Sequence, residues 1–583
     1  MACTVPELST LGPFSCEDSN ACAKGYVCVS GRCSPPGTEP EPEPDDGLPP
    51  TLWVSVPPPP ENPARVGGTT YTEVGQNGQP LPVAWRRDQE VPVELSTNSS
   101  VPLVLEMKGT DGQVVRVDAV AFTEGCTARQ CVRAALPLWK PRLDASRGAL
   151  TFVATARSRS GLTTVHEQTL PVTRWKWAYT VFDATSDNEE NSLDSAPGIG
   201  AKGTVFVSTY FTELMALSPE GRALWTSPLG GEGAPMVSPQ ADGRELLYVR
   251  WYGDNDRGGG HQLYVYDVAT RGLLGQCPQK LNANLWFDSF VLGDVGGGVE
   301  GAMTATYGGA AGAFLALTGG ASGPVPQCQF VQRELKPSER GNLVFRDGAL
   351  YYSGPLSRAI SIATGSFTAR SGWPIASASR TGVNGLAVFD DLLVMGEGYT
   401  DDSSSAGGIS TLHTSGTQAA VSRYSSGPVS MPSVGAGGVV FGVDSREGRL
   451  VRASLMGSGL PLLSKERGLA NDLAPTLGQG GLVYAMRSGE VGVWSAADLS
   501  LQWRWSPHGE EERPLAPPVL DCTRDAQGTP IPGRPGVLYA SIYNELHALV
   551  VDSAGLDADA PWPKQQHDER NTGNASTAVM RCP

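Results

Sequence analysis

The sequence contains no G-x-S-x-G elbow, no H-E-x-x-H motif, no Gly-Lys dipeptide and no pair of adjacent cysteines. The first three absences leave α/β-hydrolase, zincin and Walker A chemistry without their usual residues. No run of about 18 apolar residues occurs, so nothing in the sequence predicts a membrane-spanning helix. Charged residues make up only 18% of the 583 residues, and the net charge is −16. Such an acidic chain is a poor partner for nucleic acid.

A repeated phrase fills the chain between Ser192 and Ser553. One copy (196–229) reads APGIGAKGTVFVSTYFTELMALSPEGRALWTSPL, and another (474–507) reads APTLGQGGLVYAMRSGEVGVWSAADLSLQWRWSP. Repeats of about 40–50 residues with four short strands each are typical of β-propeller blades. The copies start near Ser192, Pro235, Trp286, Gly341, Val383, Pro428, Ala474 and Ala516, which predicts eight blades.

The last repeat has no obvious fourth strand of its own. The segment RWKWAYT (174–180), which precedes the first repeat, matches LQWRWSP at the end of the seventh. We therefore expect 174–180 to complete the last blade and close the ring, because closure removes the open sheet edges that favour aggregation.

The repeat pattern, G-x-V/L-Y/F-V/A followed by L-x-A-L/W and L-x-W, resembles that of the PQQ-like (quinoprotein alcohol dehydrogenase-like) propeller superfamily. The tail PWPKQQHDERNTGNAS (561–576) resembles the W-P-x-x-x-x-D-x-x-x-T-G tag found beside many such propellers. Enzymes of the superfamily imply calcium at the ring centre and two adjacent cysteines next to the cofactor. Because adjacent cysteines are missing here, the resemblance favours the non-enzymatic lipoprotein branch.

Ten of the eleven cysteines fall into local groups, and Cys3 is left over. Ala2 precedes Cys3 as in a lipobox, so we expect a lipidated Cys3 at the start of a mature form; a chance cysteine is the alternative. The spacing of Cys16, Cys22, Cys28 and Cys33 predicts two disulfides among themselves, with the pairing left open. Zinc is the rival ligand, but close C-x-x-C knuckles are missing.

Three further disulfides are predicted between cysteines farther along the chain: Cys126–Cys131, Cys277–Cys328 and Cys522–Cys582. Ten paired cysteines would require an oxidising compartment, so we expect an exported protein at the outer membrane or cell surface. The front of the chain, with its early cysteine, cysteine knot and acidic Pro-rich stretch, resembles surface lipoproteins of myxobacteria.

The predicted fold class is all-β. Alternating apolar runs with Gly turns indicate a sandwich before the propeller, and its last hairpin (149–174) resembles that of bacterial Ig-like domains. The predicted parts are a lipoprotein-type N-terminus (1–15), a disulfide knot (16–33), a Pro/Glu-rich linker (34–62), an Ig-like sandwich (63–173), an eight-bladed propeller (174–560) and a tail packed on the propeller (561–583).

Two acidic loops are the only metal candidates, because clustered carboxylate and amide oxygens suit calcium. The candidate ligands are Asp187, Asn188, Glu189, Asp194, Asp254 and Asp256. Neither loop has EF-hand spacing, so solvated turns are the alternative. His567 beside Asp568 could pass for a catalytic dyad, but its place in the tail tag favours a buried structural hydrogen bond.

Tryptophans near strand ends could form sugar platforms or pack between blades: Trp225, Trp251, Trp286, Trp373, Trp494, Trp503 and Trp505. Together these features predict a non-enzymatic, lipid-anchored surface protein without a cofactor, apart from the calcium noted above. It would bind another protein or a surface polysaccharide as a scaffold or adhesion module. The alternatives are a degenerate quinoprotein dehydrogenase, a glycan-active enzyme and a carbohydrate-binding protein.

Overall fold

The computed structural model describes residues 27–29, 32–34, 47–61, 65–75, 77–181, 193, 195–209, 213–231, 233–240, 242–252, 261–277, 286–294, 300–307, 312–318, 327–333, 343–354, 357–363, 368–371, 373, 375–376, 383–398, 407–416, 427–457, 460–470, 473–487, 489–507, 516–542 and 544–583. The chain divides into two compact units. The first comprises Met1–Glu61 and Pro82–Arg174, and the second comprises Asn62–Leu81 and Trp175–Pro583. Within the described residues, no helix has the length and apolarity that a membrane crossing requires.

The described residues form an all-β structure, with a 3-10 turn at Ala436–Gly438. Up to residue 180 the strands are β1 (Val27–Val29), β2 (Arg32–Ser34), β3 (Leu52–Ser55), β4 (Arg65–Val66), β5 (Thr69–Thr70), β6 (Trp85–Arg86), β7 (Glu90–Thr97), β8 (Val104–Lys108), β9 (Val114–Val117), β10 (Ala119–Ala121), β11 (Gln130–Pro137), β12 (Arg147–Arg157), β13 (Thr163–Thr173) and β14 (Trp175–Thr180).

The next strands are β15 (Gly198–Ile199), β16 (Val205–Ser208), β17 (Leu214–Leu217), β18 (Ala223–Ser227), β19 (Met236–Pro239), β20 (Glu245–Tyr252), β21 (His261–Asp267), β22 (Gly272–Cys277), β23 (Trp286–Asp294), β24 (Glu300–Tyr307), β25 (Gly312–Thr318), β26 (Gln327–Arg333), β27 (Val344–Arg346), β28 (Ala349–Gly354), β29 (Ser357–Ala363), β30 (Thr368–Ala369) and β31 (Ile375–Ala376).

The remaining strands are β32 (Val383–Phe389), β33 (Leu392–Glu397), β34 (Gly408–His413), β35 (Ser433–Gly435), β36 (Val439–Asp444), β37 (Arg449–Ser454), β38 (Leu462–Leu463), β39 (Thr476–Gly478), β40 (Leu482–Arg487), β41 (Glu490–Ser495), β42 (Leu501–Trp505), β43 (Val519–Asp521), β44 (Val537–Ile542) and β45 (Glu545–Val550).

The first unit contains the β1–β2 hairpin and two larger sheets. The strand orders of these sheets are β10-β11-β7-β3 and β6-β13-β12-β8-β9. Strand β7 alternates exposed and buried residues, and its inward Val91, Val93 and Leu95 share one apolar core with Phe152 and Leu170 of the other sheet. This period of two is what half-buried strands require, and it is the pattern on which the sequence prediction of strands rested.

Two predicted boundaries differ from the structure. Strand β3, inside the predicted linker 34–62, pairs with β7, and Leu52 lies opposite Thr97. Asn62–Leu81 belongs to the second unit instead of a sandwich starting at 63, since Thr70 of β5 pairs with Ala178 of β14. Both segments lie close to the Pro-rich stretch 57–60. Because proline argues against a strand in the sequence pattern, the short strands near it, which distant partners stabilise, were not predicted.

Eight sheets follow one another in the described part of the second unit. We number them in chain order: sheet 1 (β15–β18), sheet 2 (β19–β22), sheet 3 (β23–β26), sheet 4 (β27–β31), sheet 5 (β32–β34), sheet 6 (β35–β38), sheet 7 (β39–β42) and sheet 8 (β43–β45 with β14, β5 and β4). Within these sheets all paired strands are antiparallel, and the first strand of one sheet contacts the first strand of the next.

Neighbouring sheets bury apolar faces against each other in a cycle. Sheets 1 and 2 share one cluster, sheets 2 and 3 another, sheets 4, 5 and 6 a third, sheets 6 and 7 a fourth, and sheets 7 and 8 a fifth. Sheet 3 contacts sheet 4 through β23 and β27. A sixth cluster joins Tyr539 and Leu546 of sheet 8 to Val205 and Met215 of sheet 1. Such a cycle of antiparallel sheets is a β-propeller.

Sheet 8 is built from both ends of the repeat region. Strand β14 pairs antiparallel with β45, from Trp175 opposite Leu549 to Thr180 opposite Glu545. The same strand contacts sheet 1, because Trp177 Nε1 donates to the Pro219 carbonyl at 3.0 Å and Lys176 Nζ lies 2.8 Å from a Glu220 carboxylate oxygen. The segment that completes sheet 8 therefore also attaches it to sheet 1.

The turn that receives these contacts requires glycine. Gly221 has a φ of 79°, a conformation that L side chains rarely adopt, and an added Cβ would lie 2.6 Å from the Trp177 ring. A side chain here would both strain the backbone and separate sheet 1 from sheet 8.

A buried ion pair joins the same two sheets. Asp521 and Arg524 form a two-pronged pair at 2.9 and 2.8 Å, with both side chains 1% exposed. Arg524 Nη1 also donates to the Ala201 carbonyl of sheet 1 at 2.7 Å. Charges buried to this degree are tolerated only when every partner is in place.

Two disulfides join cysteines that are both among the described residues. Cys126 bonds to Cys131 in the first unit, and Cys522 bonds to Cys582, which fixes the end of the chain to sheet 8. Cys277 is also disulfide-bonded, while the side chain of Cys328 lies outside the described residues. Cys3, Cys16 and Cys22 lie outside them as well, and for Cys28 and Cys33 only the paired backbone of β1 and β2 is described.

Replacing Arg524 by methionine should strongly destabilise the second unit. The change leaves the Asp521 carboxylate buried without its partner, which costs about 3–5 kcal/mol. Urea unfolding followed by tryptophan fluorescence should show this loss, and the double variant Asp521→Leu/Arg524→Met should lose less than Arg524→Met alone. Arg244→Met, at an exposed ion pair, serves as the control. A single variant as stable as this control would contradict the role assigned to the pair.

Candidate functional site

The C-terminal residues 556–575, here called the central segment, hydrogen-bond to the first strands of six sheets. The backbone amides that donate to it are Ile199 to Glu569 (2.8 Å), Val237 to Arg570 (3.0 Å), Leu292 to Thr572 (2.7 Å), Phe345 to Gly573 (2.9 Å), Val434 to Trp562 (2.7 Å) and Leu477 to Pro563 (2.7 Å). These donors belong to sheets 1, 2, 3, 4, 6 and 7.

The central segment therefore lies inside the ring. The first strands contact one another in sequence, and a single short segment can reach six of them only from the space that they surround. The edges of these strands that point inward carry amides which no strand of their own sheet can satisfy. An unsatisfied buried amide costs about 1–3 kcal/mol. The carbonyls of the central segment supply the hydrogen-bond acceptors that these inner-edge amides need.

A buried cation organises this segment. Lys564 is fully buried, and its Nζ donates to the carbonyls of Gln565 (2.6 Å) and Asp568 (3.0 Å) and to the side-chain oxygen of Asn571 (2.6 Å). Burial lowers the pKa of Lys564 to about 8. Three acceptors match the three protons of an ammonium group, so the cation is fully hydrogen-bonded.

Asn571 links the buried Lys564 to residues next to two sheets. Its Nδ2 donates to the carbonyls of Ala196 (3.2 Å) and Pro197 (3.0 Å) next to sheet 1, and to that of Pro235 (3.0 Å) next to sheet 2. Its backbone φ is 59°, a left-handed value that asparagine tolerates better than most residues.

The Asp568 carboxylate holds the tag in its bent form. It accepts hydrogen bonds from the Thr572 amide (3.0 Å) and hydroxyl (2.8 Å) and from the Thr577 hydroxyl (2.9 Å), and it pairs with Arg570 at 3.2 Å. Burial raises the pKa of Asp568, but His567, Arg570 and the Thr572 amide outweigh burial and leave it below its ordinary value. Asp568 is thus an ionised structural anchor.

The pKa of Glu569 is shifted in the opposite direction from that of Asp568, although the two residues are neighbours in the chain. Burial and the neighbouring Asp568 charge raise its pKa from 4.5 to about 7, against the opposing effect of Arg570. Among the described residues its carboxylate accepts one long hydrogen bond, 3.3 Å, from the Met580 amide, and Arg570 Nε lies 3.6 Å from it. The site therefore contains one ionised and one readily protonated carboxylate.

An open recess of about 470 Å³ lies beside the central segment. Its walls come from the segment itself, from the residues that follow it to Val579, and from the first turns of sheets 4 and 5. Three exposed carboxylates line it, those of Asp347, Asp390 and Asp559, and His567 also lines it.

The predicted calcium ligands cannot be placed. Asp187, Asn188, Glu189, Asp194, Asp254 and Asp256 all lie outside the described residues, so calcium binding stays a prediction. Within the described part of the chain, no group of three or more His, Cys, Asp or Glu side chains is arranged to hold a metal ion.

The tryptophans mostly pack between sheets. Trp373, Trp494, Trp503 and Trp505 are at most 8% exposed and belong to the apolar clusters, so the alternative that they form sugar platforms is wrong. Trp225 and Trp251 are half-buried and contact Tyr266 and Tyr264. The side chain of Trp286 lies outside the described residues.

The suspected His567–Asp568 pair is buried, as its place in the tag suggested, but it is not directly hydrogen-bonded. His567 Nδ1 lies 3.9 Å from Asp568 Oδ2 and 3.3 Å from the Thr577 hydroxyl. The sequence analysis did not identify Lys564 and Asn571, whose hydrogen bonds fix the conformation of the central segment. The W-P-x-x-x-x-D-x-x-x-T-G spacing was a signal that this segment has a fixed conformation, but it did not indicate a position inside the ring.

No family model matches this chain, and no curated protein matches it. Among solved structures, BamB from Moraxella catarrhalis is similar, with a TM-score of 0.40 and 13% identity over 64% of this chain and 97% of that one. Sqt1 from Saccharomyces cerevisiae gives a TM-score of 0.44 and 9% identity over 63% and 97%. The computationally designed protein Ika8 gives 0.41 and 10% over 62% and 97%. Because all three TM-scores lie below 0.5, function has to be inferred from this chain's own residues.

Replacing Glu569 by glutamine should stabilise the protein more at pH 8 than at pH 5. A carboxyl whose folded pKa is raised contributes most to stability below its unfolded value of 4.5, and this contribution is lost as the pH rises through about 7. Glutamine keeps the neutral form at both pH values. The measurement is the free energy of unfolding in urea at each pH.

The matched control is Glu447→Gln at a partly exposed glutamate of sheet 6, and the difference between the two pH values should be larger for Glu569→Gln than for this control. A larger gain at pH 5 than at pH 8 for Glu569→Gln would show that the buried carboxyl is not protonated in the folded state.

Proposed function

We propose that this chain is a non-enzymatic scaffold that binds another protein through its propeller and is displayed at the outer membrane or cell surface. The observation that carries this proposal is the central segment, whose carbonyls are bonded to six inner strands. In the enzymes that the sequence resembles, the cofactor and its calcium occupy the ring centre. Here that position is filled by a hydrogen-bonded part of the chain itself, which leaves loops and faces as the surfaces for function.

The proposal includes a finer description of the fold. Each of the eight sheets is one blade of an eight-bladed, PQQ-like propeller of the lipoprotein branch, and the two larger sheets of the first unit form an Ig-like sandwich. The cyclic packing of the sheets and the sharing of sheet 8 by β14 and β45 support the first part. The common core of the two sheets supports the second.

The disulfides support the proposal that the protein is exported. Cys126–Cys131 and Cys522–Cys582 are bonded, and such bonds persist in oxidising compartments. We further propose that a lipid on Cys3 holds the protein at the membrane, with the cysteine knot and the Pro-rich stretch following this anchor in the chain. The partner is a protein rather than a polysaccharide, because the buried tryptophans of sheets 4 and 7 offer no stacking surface.

Anchoring and binding are tested together on intact cells. The wild-type chain should incorporate a labelled fatty acid, remain in the membrane fraction and form reproducible cross-links to one protein through propeller residues. The Cys3→Ser variant should lose the label and the membrane location while the purified variant keeps the cross-linked partner. A Cys3→Ser variant that stayed labelled would remove the anchor. Turnover of an alcohol or a glycan by the purified chain would remove the non-enzymatic assignment.

A further inference from the structure

We propose that the recess beside the central segment receives an arginine or lysine side chain of the partner protein. This inference rests on the proposed scaffold function and names the chemistry of one of its contacts. The volume of about 470 Å³ is within the range of sites that bind small groups, about 300–1,000 Å³.

The charges at the recess favour a cation. Arg346 also lines the recess and lies 3.0 Å from Asp347, and Asp559 pairs with Arg581, so these two carboxylates are already partly neutralised. Asp390 also lines the recess, and no described residue forms a hydrogen bond or ion pair with its exposed carboxylate. A cationic group entering the recess would find this carboxylate available, and the net charge of −16 would attract basic partners.

His567 provides an independent indication that something polar is received there. The residue is 3% exposed and lines the recess. Its Nδ1 is held by the Thr577 hydroxyl at 3.3 Å, near the Asp568 carboxylate, which favours a proton on Nδ1. Nε2 is then a hydrogen-bond acceptor. The described residues give Nε2 no hydrogen-bond partner, and His567 lines the recess, so this nitrogen is available to a donor there.

The recess thus combines an unpaired carboxylate with a buried nitrogen acceptor, and both need a donor. Ammonium and guanidinium groups are donors without acceptors, so they match both. Val388, Pro561 and Ala575 supply apolar walls along which the aliphatic part of a lysine or arginine side chain can lie. A neutral or anionic side chain would leave Asp390 or His567 unmatched.

The test uses the purified full chain and two synthetic peptides, acetyl-GSRGSG-amide and acetyl-GSQGSG-amide, with binding followed by calorimetry. The arginine peptide should bind saturably and the glutamine peptide should not. Asp390→Asn should weaken binding of the arginine peptide at least about tenfold, because a charge-assisted hydrogen bond is lost. Asparagine suits the left-handed φ of 49° at this position, so the fold should be kept.

Asp242→Asn, in an exposed turn of sheet 2, is the matched control and should leave the affinity unchanged. His567→Asn should also weaken binding, and its unfolding curve reports whether the fold survives. Equal binding of both peptides, no saturable binding of the arginine peptide, or equal affinities for Asp390→Asn and Asp242→Asn would overturn the inference.

A failure of the scaffold proposal can be distinguished from a failure of the inference about the recess. If the cross-linked partner binds Asp390→Asn as tightly as wild type, the recess is not its contact and only the present inference fails. If no partner is cross-linked but the arginine peptide binds as expected, the recess stands and the scaffold proposal fails.

Discussion

The second unit depends on the hydrogen bonds between the central segment and the innermost strands. In a ring of sheets the inner strands have one edge without a neighbour, and each amide on that edge needs an acceptor. Residues 556–575 supply carbonyls to six of the eight sheets of the described part of this unit. The polar side chains of this segment are buried for the same reason: Lys564 and Asn571 fix the bends that bring each carbonyl to its amide.

This constraint couples distant parts of the chain. Sheet 8 is complete only when β14 joins β45, and the inner strands are satisfied only when the residues after β45 have entered the ring. The Cys522–Cys582 disulfide then joins the end of the chain to sheet 8. We infer that the sheets do not become stable one by one: the ring is one cooperative unit, in which the first and last strands of the repeat region and the tail form together.

Much of this architecture could be predicted from the sequence. The repeats determine the sheets because each repeat alternates Gly turns with apolar strands, and the match between RWKWAYT and LQWRWSP indicated the strand at the junction. The short strands β3, β4 and β5 could not be predicted, because two to four residues carry no readable period and depend on partners far along the chain. The position of the tail could not be predicted either. Its tag is polar, with Lys564, Asp568, Glu569 and Arg570 in seven residues, and such a run normally indicates a solvated surface. Only the acceptors and donors contributed by several sheets make its burial possible.

The central claim is tested most directly by amide hydrogen exchange of the inner strands. Ile199, Val237, Leu292, Phe345, Val434 and Leu477 should exchange as slowly as amides in the middle of their sheets, and in a chain ending at residue 555 they should exchange much faster. If the six amides exchanged rapidly in the full-length protein, or if removing 556–583 left their protection unchanged, the central segment would not be what satisfies the inner strands.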